Sequence, residues 1–194
     1  MLDKYKLKYI YFIKKKSMQE IADIFGCSLH KVQYWMEKYE IKSRSRSDAV
    51  YLRHNPNGDP FKFRWPKNLA EAELFGLGLG LYWGEGTKAD KVSVRLGNTD
   101  PALIKKFRDF LIKFFDIKNS DLHFGLQLFT DMKVDEALDF WKKKLKINHS
   151  QFYKPIITKS RSVGTYRKKS RYGVLTIYYH NKKMRDILVS MLPM

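Results

Sequence analysis

One acidic residue, Glu85, ends an apolar, glycine-rich segment of a strongly basic chain. The ten residues 74–83 carry no charge, and Gly84-Glu85-Gly86 follows them directly. Carboxylate oxygens are ligands that Mg²⁺ and Mn²⁺ accept, and a metal held in this way polarises a phosphodiester and activates water. Glu85 is therefore the residue of this chain that most directly predicts hydrolytic chemistry.

The glycines that precede Glu85 recur at a helical spacing. Gly76, Gly80 and Gly84 are four residues apart, so in a helix they line one face and leave a groove for another helix backbone. Each interior glycine costs about 1 kcal/mol relative to alanine, which close packing must recover. A second copy of the same helix, related by a two-fold axis, fits such a groove most simply. The segment predicts a homodimer that brings two copies of Glu85 together.

The overall charge points to a polyanionic partner. The 194 residues include 38 Lys and Arg against 20 Asp and Glu, a formal net charge of +18. Such an excess favours nucleic acid. The longest uncharged run is too short to cross a bilayer, so no membrane partner is expected. Cys27 is the only cysteine, and the first residues lack the layout of a signal peptide, which predicts a cytoplasmic protein, nucleoid-associated if prokaryotic.

Residues 1–48 are predicted to be helical. Ser17 and Glu20 have the spacing of a capping box, Gly26 ends that helix, and Ser28 caps the next one. A short helix, a glycine-containing turn and a second helix are the layout of a helix-turn-helix. Ile21, Ala22 and Ile24 of the first helix, and Val32, Trp35 and Met36 of the second, are predicted to face inward.

The segment 19–35 resembles the helix-turn-helix of resolvases and many bacterial regulators. The resemblance rests on Glu20-Ile21-Ala22, followed by Gly26-Cys27-Ser28 and Val32. In that family the second helix enters the major groove. A helical hairpin that merely caps the larger domain is the alternative. The resemblance implies DNA contacts from the residues off the packed face, which are His30, Lys31, Gln33, Tyr34 and Lys38.

Residues 49–67 are predicted to be a linker, because Pro56, Gly58, Pro60 and Pro66 interrupt any long periodicity and a serine- and arginine-rich run, 42–47, precedes them. Arg44 and Arg46 precede the linker and are candidates to follow a DNA backbone. A solvated linker with no such contact explains the composition equally well.

From residue 68 onward, helices alternate with strands. In the predicted strand Lys91–Leu96, Val92, Val94 and Leu96 face inward, and Lys91, Ser93 and Arg95 are free to meet phosphate. A second strand, Leu122–Phe129, presents His123 and Gln127 on its polar side. Two further strands are predicted at Phe152–Lys159 and Val174–His180. Four helices are also predicted. The first is capped by Asn68 and runs through the glycine segment, the second begins at Asp100-Pro101, and the others cover Val134–Lys146 and Lys182–Leu192.

A long basic loop separates the last two predicted strands. No acidic residue occurs between Lys154 and Tyr179. Loops of this charge suit a nucleic-acid backbone, although a charge run is often only a solvated surface. The candidate phosphate contacts in the loop are Arg161, Arg167, Lys168, Lys169 and Arg171.

The segment Gly78–Gly86 resembles the nine-residue motif of the LAGLIDADG homing endonucleases. The match places Gly80 and Gly84 at the small positions of the helix interface and Glu85 at the acidic metal ligand. The resemblance implies an α+β fold over residues 68–194, with helices packed on an antiparallel four-stranded saddle sheet. It also implies Mg²⁺ or Mn²⁺ at Glu85 and Gly84, and homodimerisation, since one motif is present.

The motif departs from the family pattern at several positions. Gly78 and Leu79 replace the leading leucine and alanine, and Trp83 replaces the first aspartate. Glu85 stands where the family has its final aspartate, and only that last acid is the metal ligand. Supporting basic and polar residues vary within the family. The candidates for that role are Lys88, Asn98 and Lys159, with Lys154 and Lys168 as further possibilities.

Two hypotheses of function follow. The first is a site-specific, Mg²⁺-dependent double-stranded DNA endonuclease that acts as a homodimer, with the helix-turn-helix extending the recognised sequence. The alternative is a non-cleaving, sequence-specific transcriptional regulator on the same fold, in which Glu85 is a helix-terminal carboxylate without a metal. Other hydrolase motifs are missing from the sequence, including a zinc-ligand spacing, a phosphate-binding Gly-rich loop and a serine nucleophile elbow.

Overall fold

The chain divides into two units, Met1–Pro60 and Phe61–Met194. The computed structural model describes residues 1–159 and 171–193. Within these ranges the fold is α+β, as predicted, with eight α-helices and one four-stranded sheet. No helix among the described residues combines the length and the apolar character needed to span a membrane.

The first unit contains four helices, of which the first three contribute side chains to a small apolar core. Leu7, Ile21, Val32 and Met36 are among its buried side chains. Ile24, which was predicted to face inward, is instead 52% exposed. The helices are α1 (Lys4–Lys8, continued by a π-helical turn Tyr9–Ile13), α2 (Met18–Ile24), α3 (Leu29–Lys38) and α4 (Arg46–His54).

Local hydrogen bonds fix the turn between α2 and α3. Ser17 and Glu20 form the predicted capping box, and the Ser28 hydroxyl accepts from the N–H of Lys31 at 3.3 Å. Gly26 has a φ of +59°, a conformation that glycine adopts without the steric cost of a side chain. The predicted sequence of helix, glycine turn and helix is therefore confirmed.

The segment predicted as a linker, residues 49–67, is largely part of one unit or the other. Its first residues continue α4, which Ser45 caps by accepting from the N–H of Asp48. Phe61 lies in the core of the second unit, and the N–H of Lys62 donates to the carbonyl of Phe115 at 2.9 Å. Turn-forming residues indicated a connector, but the packing of Phe61 depends on a distant helix.

The second unit alternates helices and strands. Its elements are α5 (Leu69–Glu85), β1 (Val94–Asn98), α6 (Pro101–Phe115), β2 (His123–Phe129), α7 (Val134–Leu145), β3 (Ile156–Thr158), β4 (Val174–Tyr179) and α8 (Lys182–Ser190). The predicted caps Asn68 and Asp100 are confirmed at the starts of α5 and α6.

The four strands form one sheet in the order β1-β4-β2-β3. β4 is antiparallel to both β1 and β2, but β3 runs parallel to β2. The prediction of an antiparallel sheet is therefore wrong, and the sheet is mixed. The reason is that α7 lies between β2 and β3 in the sequence, although the two strands are neighbours in the sheet. A strand–helix–strand connection returns the chain to the starting end of the sheet, so the two strands run in one direction. β3 is also shorter than the predicted strand Phe152–Lys159.

The first strand begins later than predicted. The carboxylate of Asp90 accepts from the N–H groups of Val92 and Ser93 at 2.8 and 3.2 Å, which bends residues 90–93 into a turn. Val92 is consequently 59% exposed, although alternation predicted it to face inward. Ser93, predicted to face outward, is fully buried.

One face of the sheet packs against helices. Leu122, Phe124, Leu126 and Leu128 are buried, as the alternation of β2 predicted. The opposite face, called the open face below, carries the alternate side chains, which are half-buried or exposed: Arg95, Gly97, His123, Gly125, Gln127, Val174, Thr176 and Tyr178.

Close packing of α5 against α6 depends on Gly78. A Cβ at this position would overlap the ring of Phe110. One turn further along, the ring of Tyr82 stacks on that of Phe107 with 5.9 Å between centroids. The glycine segment therefore does meet another helix closely, but through Gly78 rather than through Gly76, Gly80 or Gly84.

Candidate nucleic-acid interface and metal centre

One face of α5 is exposed and is built of small and apolar residues. A Cβ at Gly76, Gly80 or Gly84 would meet no heavy atom of the described residues within 4 Å. Leu77 and Trp83 beside them are 45% and 51% exposed. The three glycines therefore line one face of the helix, as predicted. A continuous apolar face of this kind is typical of a surface that a partner covers.

Glu85 lies where this glycine face ends, beside the edge of the sheet. The next residue, Gly86, is buried and forms a β-bridge with Leu96 of β1. The N–H of Thr87 donates to the carbonyl of Arg95 at 3.0 Å. These contacts hold the exposed carboxylate of Glu85 next to β1.

The surroundings of Glu85 fit a magnesium site only in part. Within residues 1–159 and 171–193, no three His, Cys, Asp or Glu side chains come together as a metal site. Mg²⁺ commonly keeps several waters and takes one or two carboxylates together with substrate phosphates. One exposed Glu85 from each of two protomers is compatible with that donor set.

The loop after Glu85 is anchored by a buried arginine, Arg185 of α8. Its Nη2 donates to the carbonyl of Lys88 at 2.6 Å. The ammonium group of Lys88, a predicted catalytic group, donates to the carbonyl of Trp83 at 2.5 Å and so caps the end of α5. Lys88 is thus positioned as a helix cap beside the candidate metal ligand.

Two buried polar atoms on α5 and α8 have no hydrogen-bond partner among the described residues. They are the hydroxyl of Tyr82 and Nε of Arg185. Burial raises the pKa of Tyr82 above its ordinary value, and the positive charge of Arg185 opposes the shift. The role of Arg185 could not be predicted from the sequence, because its partner Lys88 is 97 positions away.

The open face carries a cluster of aromatic and histidine side chains that the sequence did not reveal as a group. The hydroxyl of Tyr153 is 2.6 Å from Nε2 of His180, and the Tyr153 ring stacks on His123 with centroids 5.3 Å apart. The guanidinium of Arg95 lies 5.2 Å from the centroid of Tyr178. We call His123, Tyr153, Tyr178 and His180 the open-face cluster.

Gly125 makes room for the open-face cluster. A Cβ at Gly125 would come within 2.9 Å of the Tyr178 ring, so the absence of a side chain allows that ring to lie across β2. Arg95 was predicted on the polar side of one strand, and His123 and Gln127 on the polar side of another. The strand register places all three on the open face. Ser93 does not join them, because its hydroxyl donates to Asp90 and accepts from Arg95.

The pKa of His180 lies below its ordinary value. Partial burial disfavours the charged ring most, and the neighbouring His123 and Arg95 add to the effect. Asp90 acts in the opposite direction, but it is paired with Arg95. These effects together favour the neutral form of the His180 ring in the unbound protein.

If DNA binds the open face, its affinity is expected to rise as the pH falls from about 7.5 to about 5.5. A nearby phosphate favours protonated His180, so the pKa is higher in the complex and a proton is taken up on binding. The gain is absent well above the bound-state pKa and develops as the pH falls through it. Fluorescence anisotropy at each pH measures it.

His180→Gln is expected to flatten this pH profile. The matched control is His149→Gln, because His149 is exposed in the same unit but lies outside the open-face cluster. A profile that stays equally steep in the wild type and in both variants would contradict the assignment.

The residues of α3 that were predicted to touch DNA are all exposed: His30, Lys31, Gln33, Tyr34 and Lys38. The ammonium of Lys38 lies 4.9 Å from the ring centroid of Trp35. The helix thus presents one polar and basic face, which is the arrangement that the helix-turn-helix resemblance implies. Arg46, at the start of α4, is also exposed.

Arg44 has a different role from the predicted one. Its guanidinium lies against the Tyr11 ring, 4.0 Å from the centroid, and donates to the carbonyls of Tyr11, Lys15 and Lys16. These internal contacts occupy the group that was expected to follow a DNA backbone. The sequence could not indicate this, because the partners lie about thirty positions away.

The remaining predicted catalytic and DNA-binding residues differ in their surroundings. The Asn98 side chain accepts from the N–H of Asp100 at 2.9 Å, which fixes the approach to α6 rather than leaving the amide free. Lys91, Lys154, Lys159 and Arg171 are exposed. The candidates outside the described residues are Arg161, Arg167, Lys168 and Lys169.

Comparisons of the chain with protein-family models, curated proteins and solved structures found no match.

Proposed function

We propose that this protein is a homodimeric, Mg²⁺- or Mn²⁺-dependent endonuclease of the LAGLIDADG type that cleaves double-stranded DNA at a specific site. The observation that carries the proposal is the position of Glu85. Its exposed carboxylate ends an exposed glycine face and lies beside a sheet edge. A symmetric contact through Gly76, Gly80 and Gly84 would join two such carboxylates at one place.

The proposed complex assigns separate tasks to the two units. Exposed side chains of α3 read bases in the major groove, and Arg95, Gln127 and the open-face cluster contact the duplex from the second unit. Glu85, with the carbonyl of Gly84, would hold Mg²⁺, which polarises the scissile phosphodiester and lowers the pKa of a bound water. Arg185 keeps the loop after Glu85 in place through the carbonyl of Lys88. The proposed location is the cytoplasm, on the nucleoid in a prokaryote.

A non-cleaving transcriptional regulator on the same fold is the second candidate. It is favoured because two predicted catalytic side chains are engaged in contacts within the protein. Lys88 caps α5, and the amide oxygen of Asn98 accepts from the N–H of Asp100. Both candidates require site-specific binding of duplex DNA. They differ only in metal-dependent cleavage.

A randomised duplex library decides between them. Purified protein selects bound sequences without metal, and the selected duplexes are then incubated with Mg²⁺ or Mn²⁺. The endonuclease proposal expects double-strand breaks at a fixed place in the selected site. Tight, sequence-specific binding that leaves the site intact with both metals would support the regulator instead, and an unenriched library would refute both.

A further inference from the structure

A basic cleft lies within the first unit, beside α2 and α4. Its volume is about 690 Å³. One wall is formed by three consecutive lysines, Lys14–Lys16, which we call the lysine turn, and the other by α4 with Arg46 and Arg53. Met18, Val50 and Leu52 add apolar surface to the lining.

Arg44 holds the lysine turn in a fixed shape. Its Nη1 donates to the carbonyls of Lys16 and Lys15 at 2.9 and 3.3 Å, and its own N–H donates to the hydroxyl of the buried Tyr11 at 2.7 Å. Lys15 has a φ of +55°, a conformation that residues other than glycine adopt rarely. Such backbone strain persists only where surrounding contacts impose it, and it occurs preferentially at functional sites.

The cations of the cleft are mostly free to bind a ligand. Lys16 is paired with Glu20 at 2.7 Å. In the part of the chain that the structure describes, Lys14, Lys15, Arg46 and Arg53 have no ion pair. Four unpaired positive charges therefore border one cavity, with Glu20 as the only acidic residue in its lining.

We propose that this cleft binds the phosphodiester backbone of duplex DNA, as a docking surface additional to α3. The inference rests on the proposed DNA binding and names where in the first unit the backbone is held. Charge complementarity selects a polyanion, and lysine and arginine side chains on a pre-shaped turn and helix are the groups that fix a duplex in register through its phosphates. The apolar lining is suited to the sugar faces between phosphates.

The test compares two double variants of the full chain that lose the same charge. Lys14→Gln with Arg53→Gln changes the cleft. Lys8→Gln with Lys42→Gln changes two exposed cations of the same unit that do not line it. The dissociation constant for a random-sequence duplex of about 30 base pairs is measured between about 50 and about 200 mM salt.

The cleft variant is expected to lower the slope of log affinity against log salt by about 2, since each lost phosphate contact lowers it by about 1. The control variant is expected to leave the slope nearly unchanged. An equal change of slope in both variants would overturn the cleft and leave only a net-charge effect. Failure of the wild type to bind any duplex would instead refute the proposed function.

A single substitution separates binding from folding. Lys15→Gly removes one charge and replaces a strained residue by one that favours positive φ. It is expected to lower the salt slope by about 1 while the melting temperature stays the same or rises. An unchanged slope with normal folding would show that Lys15 does not contact phosphate and would count against the cleft.

Discussion

Glu85→Gln is expected to abolish metal-dependent cleavage of the selected DNA site while binding to that site is retained. Glutamine keeps the size of the side chain but removes the negative charge that a divalent cation requires. Loss of a group that only orients a metal ligand typically costs about 10- to 100-fold, so loss of the ligand itself is expected to cost at least about a hundredfold in cleavage rate. Cleavage is followed on a labelled duplex with saturating protein.

The matched control for this substitution is Glu73→Gln. Glu73 is an exposed glutamate of the same helix, three turns before Glu85, so it tests a general effect of lost charge on α5. Glu73→Gln is expected to cleave at the wild-type rate. Full activity of Glu85→Gln would remove Glu85 from the chemistry and would refute the proposed metal centre.

Gly80→Leu is expected to convert a dimer into a folded monomer. Within one protomer the added side chain would extend into open space, and replacing a helix glycine favours the helix by up to about 1 kcal/mol. In a close contact between two copies it would appear twice, and overpacking costs about 1–3 kcal/mol each time. The dimer is therefore expected to weaken by about thirtyfold or more. Sedimentation velocity over a range of concentrations measures this.

Gly78→Ala gives the opposite pattern and serves as the contrast. Its Cβ would overlap Phe110, so the free energy of unfolding of the protomer is expected to fall by about 1–3 kcal/mol. Gly80 lies on the exposed face of the same helix, so Gly80→Ala is expected to leave the free energy of unfolding unchanged or slightly raised. A Gly80→Leu protein that remains as dimeric as the wild type would show that the exposed glycine face is not the contact between copies.

Local features of the fold were predictable from the sequence. The capping box of Ser17 and Glu20, the caps at Ser28 and Asn68, and the Asp100-Pro101 helix start are all confirmed. Each depends on hydrogen bonds between residues two to four positions apart, so the interacting groups are visible together in the sequence.

Strand alternation was predictable only where no polar side chain competed with it. It held for the predicted strand Leu122–Phe129, in which Leu122, Phe124, Leu126 and Leu128 are buried. It failed before β1, because the Asp90 side chain captures the backbone of Val92 and Ser93 and forms a turn. An aspartate near the start of an alternating segment can accept hydrogen bonds from the next backbone N–H groups, so the strand then begins later than the alternation predicts.

The candidate site was predictable as a set of residue types but not as a set of contacts. Glu85 and the exposed Gly76, Gly80 and Gly84 followed from spacing. The open-face cluster did not, because Tyr153 and His180 are 27 positions apart and meet only through the sheet. The roles of Arg44 and Arg185 were hidden for the same reason, with partners 28–33 and 97 positions away.

The sequence by itself determined the caps, the helical periods, the position of one acid at the end of a glycine-rich helix, and a net charge that favours a polyanionic partner. Only the tertiary structure decided that Gly78 packs on Phe110 while Gly80 stays open, and that β3 runs parallel to β2. It also turned Arg44 inward, which leaves the lysine turn to face the cleft. The physical reason is range: helix periods and caps arise between residues within about four positions, whereas packing and strand direction depend on segments that meet only in the folded chain.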